Sequence, residues 1–327
     1  MKDCDDAPAT SGPSLLTTVT SFIAGSLTSA VLTATAAALA AAPAAASPYS
    51  DINAAAAASP ITVHSLRRHV SMLEGSGGNI GVLAGPDGLL MVDAGIAVSQ
   101  PKIVAALSSI EPGKVRYVIN THWHWDHTDG NGWLRRTGAT VIADKQVVRR
   151  LTQTIRVVEW EHTFTPIPPA ELPNQVLSGD KTLHMDGETV RIRHYQPGHT
   201  DGDMSVYFAN ADVLQTGDTF WNGMYPFIDY VTGGSIDGAI RAANTNLAMA
   251  GANTVVIPGH GPVGNRAQLI EFRDMLIAIR AKVAALKAKG NSLEQVLAAK
   301  PTASYDARWG TSVINGALFT TLVYRGV

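Results

Sequence analysis

Residues 116–130 read Arg-Tyr-Val-Ile-Asn-Thr-His-Trp-His-Trp-Asp-His-Thr-Asp-Gly, and this stretch indicates both the fold and the chemistry. Within six residues it carries four side chains of the kind that bind metals, namely His122, His124, Asp126 and His127. Imidazole and carboxylate groups at this density are costly to bury together unless a cation holds them. The run before them, Val115 to Asn120, has the apolar composition of a buried strand. We therefore expect a metal site on a loop that leaves a strand of a rigid sheet.

Three later residues repeat this placement, because each follows a strand-like run and stands beside a glycine. They are His199 in Gln-Pro-Gly-His-Thr-Asp-Gly-Asp, Asp218 in Leu-Gln-Thr-Gly-Asp-Thr-Phe and His260 in Val-Val-Ile-Pro-Gly-His-Gly-Pro. Glycine lets the backbone turn sharply, so side chains from separate strands can approach a common point. The repeated pattern predicts one site at one edge of a sheet.

The order His-x-His-x-Asp-His, then a single His, a single Asp and a single His, resembles the metallo-β-lactamase superfamily over roughly residues 60–287. The resemblance implies two metal sites with seven ligands. The first site would contain His122, His124 and His199, the second would contain Asp126, His127 and His260, and Asp218 would bridge the two. Asp93, in Leu-Met-Val-Asp-Ala-Gly, is similar to an early Asp of the family that supports the site from behind its ligands.

The expected cofactor is a pair of Zn²⁺ ions. The only cysteine is Cys4, so neither a disulfide framework nor thiolate ligation enters the prediction. A ligand set of nitrogen and oxygen suits Zn²⁺ best, and Fe or Mn would also fit. The resemblance implies a hydrolase in which a hydroxide bridging the two metals attacks the substrate, while Asp126 orients that nucleophile and carries a proton.

The residue at the bridging position limits the range of reactions that the resemblance implies. Asp218 resembles the dinuclear branch that includes glyoxalase II and the lactonases, which implies hydrolysis of an ester-like acyl bond in a lactone, ester or thioester. A periplasmic metallo-β-lactamase acting on β-lactam antibiotics is an alternative, although those enzymes usually have Cys or Ser at this position. An iron-dependent sulfur dioxygenase is a further alternative, and the complete second site argues against it.

Aromatic side chains near the ligands are candidates for the substrate pocket. The expected contacts are Trp123, Trp221, Asn222 and Tyr225. Tyr225 and Asn222 are expected to donate hydrogen bonds to a developing oxyanion. The segment Trp160 to Pro169 has the composition of a loop able to cover a site.

The net charge of the chain limits the kinds of binding partner that we expect. The formal net charge is −2, so no basic surface predicts a nucleic-acid partner. The expected partner is a small-molecule acyl substrate. The sequence does not indicate an oligomeric state.

Residues 1–50 differ from the rest of the chain and are interpreted as an export signal or a disordered leader. No charged residue occurs between Ala7 and Ser50, and the Ala-rich stretch around Pro43 offers small-residue cleavage patterns. Three Asp residues before Ala7 make a poor positive start for a signal. We predict cleavage near Ser47 to Asp51, a periplasmic or secreted protein, and no stable membrane span after processing.

The remaining pattern predicts a catalytic domain at residues 60–290 and a C-terminal helical extension at 291–327 that packs on it. Early strands are followed by alternating strands and helices, which is typical of an α/β (α+β) fold with an αββα four-layer sandwich of two mixed β-sheets flanked by helices. Helices are expected at Ser99 to Ser109, Ser235 to Met249 and Gln268 to Leu286. Asn291 with Glu294 is expected to form a capping box that opens a last short helix.

Overall fold

The computed structural model describes residues 47–327, so nearly all of the predicted leader, residues 1–50, lies outside the described part. The helices are α1 (Pro48–Ala58), α2 (Gln100–Ile110), α3 (Trp125–Thr128), α4 (Asn131–Arg136), α5 (Lys145–Leu151), α6 (Ile236–Met249), α7 (Arg266–Ala288), α8 (Leu293–Ala298), α9 (Asp306–Trp309) and α10 (Gly316–Arg325). Within residues 47–327, no helix is both long enough and apolar enough to cross a bilayer.

Fifteen strands are present in residues 47–327. They are β1 (Thr62–Ser65), β2 (Val70–Glu74), β3 (Ile80–Gly85), β4 (Gly88–Val92), β5 (Val115–Ile119), β6 (Thr140–Asp144), β7 (Ile155–Val157), β8 (His162–Phe164), β9 (Gln175–Leu177), β10 (Lys181–Met185), β11 (Glu188–His194), β12 (Met204–Phe208), β13 (Val213–Gln215), β14 (Val255–Ile257) and β15 (Gly264–Asn265). They form a seven-stranded sheet, a six-stranded sheet and the two-stranded ribbon β7–β8.

Both large sheets are mixed. The first has the order β1-β2-β3-β4-β5-β6-β9, antiparallel from β1 to β4 and parallel from β4 to β9. The second has the order β10-β11-β12-β13-β14-β15, in which only β13 and β14 pair in parallel. Helices α2 and α6 connect parallel strands, as parallel pairing requires a crossover.

Side-chain alternation along the strands separates the layers. On β4, Leu90 and Val92 face the second sheet in a cluster with Val206 and Ile257. Their neighbours Leu89 and Met91 face outward, into a cluster with the helices α2 and α4. The outer face of the second sheet is covered by α6, α7 and α10. These layers confirm the predicted αββα sandwich.

The chain after residue 290 forms three short helices. Phe319 and Leu322 of α10 are buried in the same cluster as Leu276 and Ile279 of α7, so this segment packs on the catalytic domain. The capping box that opens α8 consists of Ser292 and Gln295, each side chain bonding the other residue's backbone N–H. The predicted pair Asn291 and Glu294 is therefore wrong by one residue, because both pairs fit the same four-residue pattern.

Strand ends determine where the site lies. Asp93 follows β4 directly, and the His122 cluster follows β5. His199, Asp218 and His260 follow β11, β13 and β14 after a few residues each. Because these side chains come together, the carboxyl ends of strands from both sheets share one edge of the sandwich.

Candidate metal centre

Three histidines form the first group of candidate ligands. His124 Nδ1 lies 3.1 Å from His122 Nε2 and 2.9 Å from His199 Nε2. All three rings are buried. Burial lowers the pKa of His199 to about 4, and burial together with the neighbouring histidines lowers the pKa of His122 well below its usual range. Both rings are therefore neutral near pH 7, which is the form of imidazole that binds metals.

The second group consists of Asp126, His127 and His260. His260 Nε2 lies 3.3 Å from Asp126 Oδ2 and 3.4 Å from His127 Nε2. Burial opposes charge on these groups, yet the neighbouring carboxylates raise the pKa of His260 to about 9 and that of His127 well above its usual value. A metal cation would supply the positive charge that this concentration of carboxylates attracts.

Asp218 lies between the two groups. Its Oδ1 is 3.1 Å from His127 Nε2, and its Oδ2 is 3.4 Å from both His199 Nε2 and His260 Nε2. Although burial raises the pKa of Asp218, the charges of His260 and His127 hold it well below its usual range. Although His127 is near, the buried Oδ1 accepts no well-aligned hydrogen bond from the described residues.

Two divalent cations fit this donor set. Five imidazoles and two carboxylates direct nitrogen and oxygen atoms at one another in two buried groups, and the Asp218 carboxylate is within reach of both. A buried carboxylate oxygen without a donor is costly unless a cation satisfies it. Nitrogen and oxygen donors of this kind suit zinc, iron or manganese.

Asp93 orients the second group from behind. Its Oδ2 lies 2.8 Å from His127 Nδ1, so the ring nitrogen that faces the site is Nε2. Thr121 holds the Asp93 carboxylate by its backbone N–H at 2.7 Å and its hydroxyl at 2.8 Å. Asp93 has a φ of 67°, a left-handed backbone conformation for a residue other than glycine. Carboxylates that accept from a ligand histidine fix its tautomer and orientation.

Sequence reasoning missed a matching carboxylate behind the first group. Asp229 Oδ2 lies 3.0 Å from His124 Nε2, and Asp229 also accepts hydrogen bonds from Thr232. Burial opposes its charge, but the bond and charge of His124 lower the pKa of Asp229 to about 2. Asp229 is 105 residues from His124 in the chain. No motif spacing connects the two, so only the fold reveals the pair.

His199 is held by its own loop and by a second loop that contains Phe227. Its Nδ1 lies 2.9 Å from the Phe227 carbonyl oxygen, and its backbone N–H donates to Asp203 Oδ2 at 2.7 Å. Asp203 also accepts from Thr200, and its burial raises its pKa to about 7. The sequence His-Thr-Asp-Gly-Asp contains a usable signal here, because an Asp shortly after a turn residue commonly accepts backbone N–H groups.

Comparison with known proteins agrees with this geometry. Residues 73–260, more than half of the chain, match the family model of the Metallo-beta-lactamase superfamily. The chain belongs to this superfamily. All seven candidate ligands lie within the matched residues, and the match ends at the last of them, His260.

Relatives and solved structures agree on the fold. A hydroxyacylglutathione hydrolase of Rhodospirillum rubrum is 27% identical over 59% of this chain and 68% of its own length. A metallo-beta-lactamase from Pontibacter korlensis has a TM-score of 0.55 at 16% identity, covering 66% of this chain and 99% of that one. A sec-alkylsulfatase from Pseudomonas sp. has a TM-score of 0.57 at 16% identity, covering 81% of this chain and 50% of that one. The chain spans 37%, 68% and 48% of three curated relatives that it matches.

A cavity of about 260 Å³ opens onto both ligand groups of this superfamily member. Its floor contains His124, Asp126, Asp218 and His260. Its other lining residues are mostly apolar: Ile52, Gly77, Trp125, Trp160, Trp221, Met224, Phe227, Ser312 and Val313. Neither Lys nor Arg is among these residues. The indole N–H groups of Trp125, Trp160 and Trp221 are buried and have no acceptor in the described part of the chain.

The structure corrects the two predicted oxyanion donors. Tyr225 is fully buried away from this cavity, where its hydroxyl donates to Asp306 Oδ1 at 3.0 Å and its ring stacks on Phe319. Asn222 Nδ2 donates to the Pro262 carbonyl oxygen at 2.8 Å. Both side chains therefore stabilise the packing around the site. Their partners come from distant parts of the chain, which local sequence does not show.

The two tryptophans that were predicted to contact the substrate line different cavities. Trp221 lines the cavity, with its ring centroid 4.1 Å from that of His260. Trp123 lines a neighbouring cavity instead, and its Nε1 donates to Thr232 at 3.0 Å. The segment Trp160 to Pro169, expected to be a loop, contains strand β8 of the ribbon. Trp160 at its start lines the ligand cavity.

Proposed function

We propose that this superfamily member is a metal-dependent hydrolase that binds two zinc ions and cleaves an ester-like acyl bond in an uncharged small molecule. A lactone, an ester or a thioester would satisfy this description. The observation that supports it most is the position of Asp218, whose two carboxylate oxygens lie within 3.4 Å of histidines from both ligand groups.

The ligands and Asp126 would have distinct roles in this reaction. One ion would be held by His122, His124 and His199, the other by Asp126, His127 and His260, and both by Asp218. Two bound divalent ions lower the pKa of a water and polarise an acyl oxygen. Asp126 lines the cavity, and the charges of His127 and His260 lower its pKa despite burial. Asp126 is thus ionised near neutral pH, so it can accept the proton of the attacking water and return it to the leaving group.

The cavity walls favour an uncharged substrate. Carboxylate and phosphate groups of ligands are commonly recognised by Arg or Lys, and neither is among the described residues that line this cavity. A β-lactam antibiotic or a glutathione thioester would bring a carboxylate into apolar surroundings, which is costly without a partner. Phosphodiesters are disfavoured for the same reason. The apolar walls instead suit an acyl group without charge.

A substrate panel tests this proposal. Full-length protein reconstituted with zinc would be assayed on lactones, aryl esters, thioesters and β-lactams, with His122→Ala and chelated protein as controls. We expect the highest kcat/KM on a lactone or an ester, and loss of hydrolysis in both controls. A far higher kcat/KM on β-lactams would place the enzyme with the β-lactamases. Persulfide oxidation by iron-loaded protein without any hydrolysis would assign it to the sulfur dioxygenases.

A further inference from the structure

Helix α1, which begins at the end of the predicted leader, lies against the ligand cavity. Ile52 of this helix lines the cavity that contains the metal ligands. Tyr49, three residues earlier and therefore on the same helix face, lines the neighbouring cavity of about 200 Å³. Trp125 lines both cavities, so it separates them beneath one face of α1.

Aromatic contacts hold the first turn of α1. The Tyr49 ring stacks on His162 with centroids 3.6 Å apart and planes 11° apart. It also lies 5.2 Å from the Trp125 ring and 5.7 Å from that of Phe164. The helix thus docks on strand β8 and on α3, the helix that carries Asp126.

A lysine holds the other end of α1. Lys102 Nζ donates to the carbonyl oxygens of Ala56 at 2.6 Å and Ala57 at 2.9 Å, and also to that of Ser59. Ser99 donates a further hydrogen bond to Ala56 at 3.1 Å. The last carbonyl groups of a helix have no partners within it, and a cation there also favours the helix dipole. Helix α1 is therefore fixed at both ends beside the cavity.

A second segment from outside the matched family region lines the same cavity. Ser312 and Val313 lie between α9 and α10, whereas the family match ends at residue 260. Ile52 precedes the start of that match at residue 73. Val313 is 51% exposed, which places it at the rim. Both ends of the described chain thus add apolar surface to a cavity whose floor comes from the family core.

We propose that α1 is the specificity wall of this enzyme, with Ile52 and Val313 bounding an apolar subsite that selects a medium-length alkyl acyl group over an acetyl group. This proposal rests on the proposed acyl hydrolysis. The cavity of about 260 Å³ lies just below the range of about 300–1,000 Å³ that holds whole small-molecule ligands, so it suits one acyl group of a substrate. Filling such a subsite with apolar groups discriminates between chain lengths by removing apolar surface from water.

The test is a chain-length series of p-nitrophenyl esters, from acetyl to decanoyl, on full-length zinc-loaded protein. Ile52→Phe should lower kcat/KM for the octanoyl ester roughly tenfold and change that for the acetyl ester less than about twofold. Ile52→Ala should move the preferred chain towards greater length. Ala54→Phe, on an exposed position of the same helix, is the matched control and should leave the profile unchanged.

A binding measurement separates this proposal from the proposed function. Three tryptophans line the cavity, so binding of octanamide should change tryptophan emission, whereas acetamide should bind far more weakly. Ile52→Phe should weaken octanamide binding roughly tenfold, and Ala54→Phe should not. If the wild type hydrolyses no ester yet shows this binding pattern, the hydrolase proposal fails, whereas the apolar subsite bounded by Ile52 is supported as a binding site. If the wild type hydrolyses esters and Ile52→Phe keeps its chain-length profile, the specificity wall is wrong.

Discussion

The metal-ligand floor and the outer wall of the cavity are built differently. The floor comes from short segments at strand ends, and carboxylates outside the ligand set hold two of its histidines, Asp93 for His127 and Asp229 for His124. The wall comes from segments near both ends of the described chain, including Ile52 and Val313. The residues proposed for the chemistry need fixed positions, and they lie at the ends of strands in rigid sheets. The segments outside the family core are proposed to determine which substrate binds.

The largest expected effect comes from removing a ligand in the floor. His122→Ala should lower kcat for the best acyl substrate by roughly a thousandfold or more, because metal-assisted stabilisation of the transition state is lost. Steady-state kinetics on zinc-reconstituted protein measure this. His184→Ala, which changes a histidine outside both ligand groups, is the matched control and should retain activity. Equal losses in the two variants would contradict the assignment.

A smaller effect is expected from the carboxylate behind the first group. Asp229→Asn keeps the size of the side chain but weakens its hold on His124 Nε2. We expect metal affinity at the first group to fall about 10–100-fold, as is typical for partners of ligand histidines. Competition with a chromogenic chelator measures the affinity. Unchanged affinity in a folded variant would show that His124 is positioned by the loop alone.

Weakening the contacts that hold α1 should change the preference for acyl-chain length more than it changes kcat. Lys102→Met removes the donor to three carbonyl groups at the end of α1. We expect the free energy of unfolding to drop by roughly 1–3 kcal/mol and the preference for longer acyl groups to weaken, with kcat for an acetyl ester nearly unchanged. Urea titration and the ester series measure the two effects. Lys289→Met, at an exposed position after α7, should change neither.

The smallest effect on catalysis is expected at Tyr225. Tyr225→Phe removes a partly buried hydrogen bond to Asp306, so we expect about 1 kcal/mol less stability. Its kcat/KM should stay within about twofold of the wild type, because the hydroxyl lies away from the ligand cavity. Thermal unfolding and ester kinetics give both values. A large drop in kcat alone would reinstate Tyr225 as an oxyanion donor.

The floor and the wall of the cavity also differ in how much of each could be predicted from the sequence. The ligands of the floor follow apolar runs, and a glycine stands beside each of the later ligands. The apolar run Val115 to Asn120 predicted a strand, and the ligands after this run predicted a site at the end of that strand. The layered sandwich follows from the same alternation of strands and helices. Such local patterns can be interpreted from the sequence because the type of secondary structure is determined largely within a few residues.

The wall and the supporting partners depend on contacts between distant residues. Asp229 contacts His124 across 105 residues, and Tyr225 bonds to Asp306 across 81. Tyr225 follows Asp218 closely in sequence, which made it a plausible substrate contact, but the helices after residue 290 cover it. Ile52 lies between the predicted leader and the predicted catalytic domain, and no sequence pattern indicated that it lines the cavity. Contacts of this kind have no spacing signature, so only the folded chain reveals them.

The central claim is that Asp218 joins two metal sites, and metal stoichiometry tests it most directly. Elemental analysis after zinc reconstitution and desalting should give close to two ions per wild-type chain. Asp218→Ala should retain part of the metal at the first group, and its hydrolysis should be lost. Activity in the wild type should require the second equivalent of zinc. A wild-type chain that binds one ion, or none, while hydrolysing its substrate at full rate would contradict the account.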